Sequence, residues 1–271
     1  MIDEIFQPGS RSSIGRGKLN LIRRCCLRSH GDGLGDTALT LLILAGGLGS
    51  RLRSVTRDKV AKPMVDVLGR PFLYWVIEDL VRQGFRQIWL SVGHKGSTIT
   101  SYPWRDQFPA CEISFIVETE SQGTGGAIVQ FFEDQSQCSE CVVVNGDTHT
   151  ITTDYMIPDA FESGQGEVHF LTLEKSRLTA DQEANLCVEE GRIVICSESS
   201  QPSQFDTGVL KITRQAVDRY SGPIPCSIHD LIFPSVLSGS VMYSEIDARC
   251  FDIGTPERLY KYQSFRREGS L

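Results

Sequence analysis

The residues with the most chemistry in this chain are Gly46, Gly47 and Gly49, followed by Arg51 and then Lys62. The glycines come directly after an apolar run, Leu41 to Ala45, that has the pattern of a buried strand. Glycines at such a strand end let backbone N–H groups approach an anion where a Cβ would collide. Arg51 and Lys62 add fixed positive charge at either end of the following loop. Donors for phosphate oxygens and cations for a charged leaving group are what a nucleoside triphosphate requires. Two other glycine loops are excluded. A P-loop carries Lys-Ser/Thr directly after its last glycine, whereas Gly49 is followed by Ser50-Arg51. The dinucleotide fingerprint needs a third glycine at the position held by Leu52. A lone Gly-Gly-x-Gly is equally a surface turn with solvated charges, but Arg51, Leu52, Lys62 and Pro63 together favour a phosphate site.

Carboxylates supply the second half of that chemistry. Asp147 ends the apolar run Val142 to Gly146, and Asp252 interrupts a buried-looking stretch between Phe251 and Ile253. Magnesium takes one or two carboxylates and completes its shell with phosphate oxygens and water, so two aspartates from separate elements suffice. Taken alone, Asp147 also reads as a cap or turn residue and Asp252 as half of a buried salt bridge. Glu118 follows the strand-like run 112–117 at the end where a base would lie. One carboxylate can accept from both N1–H and N2–H of guanine, whereas uracil and thymine offer a single donor between two carbonyls. The competing reading of Glu118 is an exposed loop glutamate, as for Glu120. His149 is the histidine nearest the aspartate motif and reads as an exposed loop residue. No general base stands out among these residues.

The elements around these residues alternate. Strand-like runs fall at 41–45, 87–92, 112–117, 141–146 and 167–173, with helix-like runs at 71–83, 96–101, 125–133 and 153–163. In the helix ending before Gly84, Phe72, Trp75, Val76, Leu80 and Val81 give a broad apolar face. Strands separated by helices imply right-handed crossovers and an α/β fold: a mainly parallel, Rossmann-like sheet sandwiched by helices. Ligands in such sheets bind beyond the carboxyl ends of the strands, where Gly46 and Asp147 both fall. Between residues 184 and 212 the rhythm changes. Two short runs flank Glu189-Glu190-Gly191-Arg192, a hairpin signal, and a strand over 206–212 follows. These are expected to form a small antiparallel annex walling the cleft. Helices at 213–220, 227–237 and 256–267, with a strand at 241–246, complete the chain.

At 271 residues with 40% hydrophobic content, the chain can bury one substantial core. A net charge of −7 argues against nucleic acid as partner. No apolar run approaches a membrane span and no signal-peptide core is present, so the cytoplasm is the expected compartment. The nine cysteines are scattered, and only Cys138 and Cys141 have ligand spacing, so all are expected to be small buried hydrophobes rather than a metal site or disulfides. Residues 1–39, rich in arginine, serine and glycine, are expected to be a disordered arm, leaving 40–271 as the folded domain.

The combined pattern resembles the sugar-1-phosphate nucleotidyltransferases, whose opening signature is GGxG(S/T)RL followed by KPM or KPL. Further along, Gly123-Thr124-Gly125-Gly126-Ala127 is similar to that family's GTGGA segment, and Val142-Val143-Val144-Asn145-Gly146-Asp147 to its strand ending in NGD. Phe205-Asp206-Thr207-Gly208 is similar to its NTG turn, and Phe251-Asp252-Ile253-Gly254-Thr255-Pro256-Glu257 to its closing motif. Within the family, LRSV, KPM, RPFL and SVGHK look most like guanylyltransferases acting on heptose or mannose 1-phosphates. The resemblance implies transfer of a nucleoside monophosphate, with GTP as donor, to a heptose or hexose 1-phosphate, releasing pyrophosphate. It implies Arg51 and Lys62 as catalytic cations and Asp147 and Asp252 as Mg²⁺ ligands. Leu44, Ala45, Gly46, Gly47, Gly49, Ser50, Glu118, Gly123 and Thr124 would hold the nucleotide, and Asn145, Thr207 and Gly208 the sugar.

Two departures concern the sugar side. Many relatives carry Glu-Lys-Pro before the NTG turn, where this chain has Glu198-Ser199-Ser200-Gln201-Pro202, and Lys175 or Lys211 is left to replace the lysine. Ser121-Gln122 stands where Pro-Leu often precedes GTGGA. The missing lysine and the N-terminal arm support an alternative reading, a non-catalytic nucleotide-sugar-binding regulatory or sensor protein with the same fold.

Overall fold

The computed structural model describes residues 39–152, 157–161, 166–197 and 200–269. The expected arm lies outside the described residues apart from Leu39, as do Glu198, Ser199 and part of the helix expected over 153–163. The strands are β1 (Thr40–Leu44), β2 (Asp66–Val67), β3 (Arg70–Pro71), β4 (Gln87–Val92), β5 (Glu112–Val117), β6 (Glu140–Asn145) and β7 (Thr148–Thr152). They continue with β8 (Val168–Glu174), β9 (Cys187–Glu189), β10 (Arg192–Val194), β11 (Gln204–Thr213), β12 (Val241–Glu245) and β13 (Ala248–Asp252). The longer helices are α1 (Phe72–Arg82), α2 (Gly123–Asp134), α3 (Arg214–Asp218), α4 (Ile228–Leu237) and α5 (Pro256–Arg267).

Nine strands form one sheet in the order β5-β4-β1-β6-β11-β8-β12-β10-β9. Strands β5, β4, β1 and β6 run parallel, and only β11 and β10 run against the general direction. The chain moves from β1 outward to β4 and β5, then returns to place β6 on the other side of β1. The carboxyl ends of β1 and β6 therefore flank the switch point, the ligand-binding crevice of open α/β sheets. Strand β1 reads as an unbroken apolar run because both of its faces are covered. Leu41 and Ile43 pack with α1, and Leu42 packs on the opposite face with Phe131 and Phe132 of α2. In α1, Phe72, Leu73 and Ile77 are fully buried, each stabilising the fold by about 2 kcal/mol. Val76 and Leu80 join them, while Trp75 and Val81 sit at the margin.

The region 184–212 differs from expectation in its place, not its hairpin. Glu190 (φ 48°) and Gly191 (φ 78°) make the two-residue turn between β9 and β10, both in the left-handed region that a type I′ turn demands. The hairpin extends the edge of the main sheet, and β11 lies inside it between β6 and β8. The small antiparallel sheet is made instead by β7 and β13, and β2 pairs with β3 in a short ribbon. The hairpin also corrects the cysteine reading: Cys187 and Cys196 form a disulfide, with their Cα atoms 5.3 Å apart. The hairpin register sets Cys187 opposite Val194, two residues before Cys196, and so brings the two cysteines within bonding reach, which sequence spacing alone does not reveal. Cys141 and Cys226 are buried thiols, as expected, and Cys138 donates to the Glu140 carbonyl at 3.2 Å.

His149 is not a loop residue. It lies on β7, 2% exposed, with Nδ1 2.8 Å from the Tyr262 hydroxyl and Nε2 3.6 Å from Asp79. Burial lowers its pKa below the ordinary 6.5, and burial does the same to His169 on β8. The folded protein then binds fewer protons than the unfolded chain just below pH 6.5, so stability falls as pH drops through that value. Urea midpoints measured from pH 7.5 down to 5 are expected to decline, with a shallower slope in His149→Gln. An equal slope in the variant would show that His149 charges without cost.

Among the described residues no helix is long and apolar enough to cross a membrane.

Candidate active site

A cleft of about 250 Å³ opens at the switch point. Ten of the residues expected to bind substrate line it: Leu44, Ala45, Gly46, Gly47, Lys62, Glu118, Gly123, Thr124, Asn145 and Asp147. Pro63, Ser121 and Ala127 complete the wall. Ser121 occupies one of the positions where the sequence departs from the common motif, and only the fold shows that it faces the cleft.

The glycine loop is held from several sides. Ala45 N–H donates to Ser91 O at 2.8 Å, and Gly146 N–H donates to Leu44 O at 2.9 Å, so β4, β1 and the β6 turn meet at one level. A Cβ added at Gly46 would take the space of the Glu118 carboxylate, so a larger residue there would displace that side chain. Gly49 adopts φ 59° against Lys62, where a Cβ would come within 2.9 Å of the lysine Cβ. Leu52 is fully buried and anchors the far end of the loop, while Ser50 and Arg51 remain exposed.

The Lys62 ammonium donates to Asp147 Oδ2 at 2.6 Å, with the lysine side chain only 10% exposed and the aspartate 40%. Asp147 Oδ1 accepts from the Thr148 hydroxyl at 3.2 Å. The second aspartate reaches this place through the β7–β13 sheet. Asp252 pairs in register with Thr148, and Ile253 N–H donates to the Asp147 carbonyl at 3.0 Å. Gly254 then separates Asp252 from Arg51: a Cβ there would lie 2.7 Å from Asp252 Oδ1 and 3.6 Å from an Arg51 nitrogen. The two aspartates and two cations are thus neighbours, although Arg51 and Asp252 stand outside the cleft wall itself. Arg258, which the sequence reading passed over, grips Asp252 with one nitrogen at 2.9 and 2.7 Å from the two carboxylate oxygens. A basic residue six positions after an acidic one carries no local signal for such a pair.

Glu118 sits in the base of the cleft. Its Oε1 accepts from the Ser91 hydroxyl at 3.0 Å and its Oε2 from Gln122 N–H at 3.3 Å. Gly123 and Thr124 open α2, and the Thr124 hydroxyl accepts from Ile228 N–H at 2.9 Å, tying α2 to the start of α4. On the sugar side, the place a Cβ would take at Gly208 is 2.8 Å from Asn145 Nδ2. The Thr207 hydroxyl turns away from the cleft: it is fully buried and donates to Leu171 O at 2.7 Å. Its carbonyl is engaged as well, accepting from the Thr150 hydroxyl at 2.8 Å. Asp206 accepts from Gly208 N–H at 2.8 Å, and burial pushes its carboxyl pKa up.

Of the two lysines considered as replacements, Lys211 is misplaced. It pairs in register with Val142 and lies 3.5 Å from Glu140 at the start of β6, at the end of the sheet away from the cleft. Lys175 follows β8, whose carboxyl end is on the cleft side.

A strand-end glycine loop, a lysine and an aspartate meet at a parallel switch point, the arrangement expected of a nucleotidyl-transfer site. The sequence profile described as "Nucleotidyl transferase" matches residues 40–178. The chain belongs to the nucleotidyl transferase family, as an enzyme of the sugar-1-phosphate type. A D-glycero-alpha-D-manno-heptose 1-phosphate guanylyltransferase of Campylobacter jejuni is 27% identical over 82% of this chain and 97% of its own. A mannose-1-phosphate guanylyltransferase of Mycobacterium tuberculosis is 27% identical over 80% of this chain and 61% of its own. Among solved structures, HddC from Yersinia pseudotuberculosis superposes with a TM-score of 0.67 at 28% identity, covering 83% of this chain and 98% of that one. That protein is also known in complex with GMP-PN.

Proposed function

We propose that this enzyme transfers GMP from GTP to a heptose 1-phosphate, releasing pyrophosphate, with Mg²⁺ held by Asp147 and Asp252. The observation that carries the reading is the cleft that joins the glycine loop, Lys62 and Asp147 at the switch point, with Asp252 linked to it through Ile253. Heptose and guanine are chosen because a relative named for heptose 1-phosphate guanylyltransfer is matched over 97% of its length, and a GMP-PN complex is known for the HddC neighbour.

The donor set fits the metal. The hard carboxylate oxygens come from the turn between β6 and β7 and from the end of β13, and among the described residues no third acidic, histidine or cysteine side chain joins them. That leaves the rest of an octahedral shell to phosphate oxygens and water, as Mg²⁺ prefers. When bound, the ion would neutralise charge developing on the reacting phosphates. The protein's own part is to place and to compensate. Loop N–H groups from Gly46 to Gly49 receive phosphate oxygens, and Lys62 and Arg51 offset charge on the departing pyrophosphate. The sugar phosphate is already dianionic near neutral pH and attacks the α-phosphorus without a base. Asn145 and the Gly208 backbone border the sugar, and Lys175 is the cation at the strand end nearest its phosphate.

The test is a pyrophosphate-release matrix of four nucleoside triphosphates against heptose, mannose and glucose 1-phosphates. The largest kcat/KM is expected for GTP with the heptose; preference for UTP or CTP overturns the nucleotide, and preference for mannose 1-phosphate overturns the sugar. Glu118 is the reader of guanine in this proposal, held in place by Ser91 and Gln122. Glu118→Gln is expected to lower GTP use ~100-fold and narrow the preference over UTP, since a buried polar group paired to two donors discriminates strongly. An unchanged GTP:UTP ratio in the variant would reduce Glu118 to a brace for the glycine loop.

A further inference from the structure

We propose that Arg258 is a positioning residue that fixes Asp252 for the metal and couples that carboxylate to the 179–182 loop. The inference rests on the metal assignment above. One guanidinium nitrogen of Arg258 contacts both Asp252 oxygens at 2.9 and 2.7 Å, and the other donates to the Asp181 carbonyl at 3.1 Å. A planar fork with two rigid donors can hold two acceptors in fixed relation, which a flexible ammonium cannot.

Both ends of the bridge are themselves anchored. Arg258 stands in the first turn of α5, where the Thr255 hydroxyl caps the helix by accepting its N–H at 3.4 Å. Asp252 Oδ1 also accepts from Gly254 N–H at 2.8 Å, which sets the carboxylate plane. The 179–182 loop is tied to the same helix and to β13. Lys261 donates to Asp181 at 2.7 Å, and Gln182 donates to the Cys250 carbonyl at 3.0 Å. The loop, α5 and the metal-side strand thus meet at one guanidinium. The pair also leaves Asp252 charge-compensated before any metal arrives, as Lys62 does for Asp147. Outer-shell partners of metal-ligating carboxylates typically contribute 10–100-fold to metal affinity.

The experiment measures Mn²⁺ binding to the full chain by electron paramagnetic resonance. The complex contains a non-hydrolysable analogue of whichever triphosphate the pyrophosphate assay prefers. Arg258→Met is expected to weaken Mn²⁺ binding ~10–100-fold, leaving metal-free affinity for the analogue and the circular dichroism spectrum unchanged. Arg258→Lys, which keeps the charge but not the fork, is expected to fall between. Unchanged Mn²⁺ affinity in Arg258→Met overturns the proposal, and tighter binding overturns it differently, by making Arg258 a competitor for Asp252. Should Arg258→Met fail to fold, Arg258→Lys decides alone: several-fold weaker binding supports positioning, and wild-type affinity overturns it. Asp252→Asn in the same titration separates the two levels of the reading. If it binds Mn²⁺ like wild type, the metal assignment fails; if it loses binding while Arg258→Met keeps it, only the role of Arg258 fails.

Discussion

Asparagine in place of Asp147 or Asp252 is expected to lower Mg²⁺-dependent pyrophosphate release by ~1000-fold, about 4 kcal/mol of barrier. The substitution is isosteric but removes the negative charge that a divalent cation needs from the protein. Asp147 and Asp252 lie on adjoining segments, linked by the Ile253 N–H to Asp147 carbonyl bond, so neither can easily be replaced by a neighbour. Both carboxylates are partly exposed, at 40% for Asp147 and 35% for Asp252, so solvent can reach the partner left behind. The fold is therefore expected to survive, with circular dichroism and elution volume as in wild type. Near-normal Mg²⁺-dependent rates in both variants would remove the aspartates from the metal site.

Lys62→Met has the second largest expected effect: turnover falls ~100- to 1000-fold, the usual cost of deleting one preorganised donor to transition-state charge. The lysine side chain is only 10% exposed, which keeps the ammonium within the cleft beside Asp147. Its partner is 40% exposed and can be solvated when the lysine is gone, so the melting temperature is expected to move by no more than about 3 °C. The kinetic split is informative. A loss confined to kcat places Lys62 on charge that appears only in the transition state, whereas a loss confined to KM for the triphosphate makes it a ground-state anchor. Wild-type kinetics in Lys62→Met would show that the pair with Asp147 is structural.

The alternation of strands and helices was legible because core burial imposes its period locally. The runs at 87–92 and 112–117 coincide with β4 and β5, and the helix at 256–267 with α5. What escaped were β7 and β13, five residues each, whose pairing brings Asp252 to Asp147. Neither is long enough to show a period, and each follows another strand so closely that it reads as that strand's tail. His149 was misjudged for the same reason: once β7 is a strand, alternate side chains turn inward, and His149 meets Tyr262 and Phe72.

The sequence by itself determined the glycine loop after β1, the basic residues that follow it and the two acidic motifs, because each depends on neighbours a few residues away. Glycines after an apolar strand make an anion cradle wherever that strand lies. The tertiary structure alone decided which of those groups meet. It turned the Thr207 hydroxyl into the core, took Lys211 to the far end of the sheet, and closed the Cys187–Cys196 disulfide. It also set Arg258 on Asp252. These outcomes follow from strand order and register in the nine-stranded sheet and in the β7–β13 pair, which are fixed by burying apolar surface across the whole fold at once. That requirement is a sum over the whole chain, and no short segment contains it.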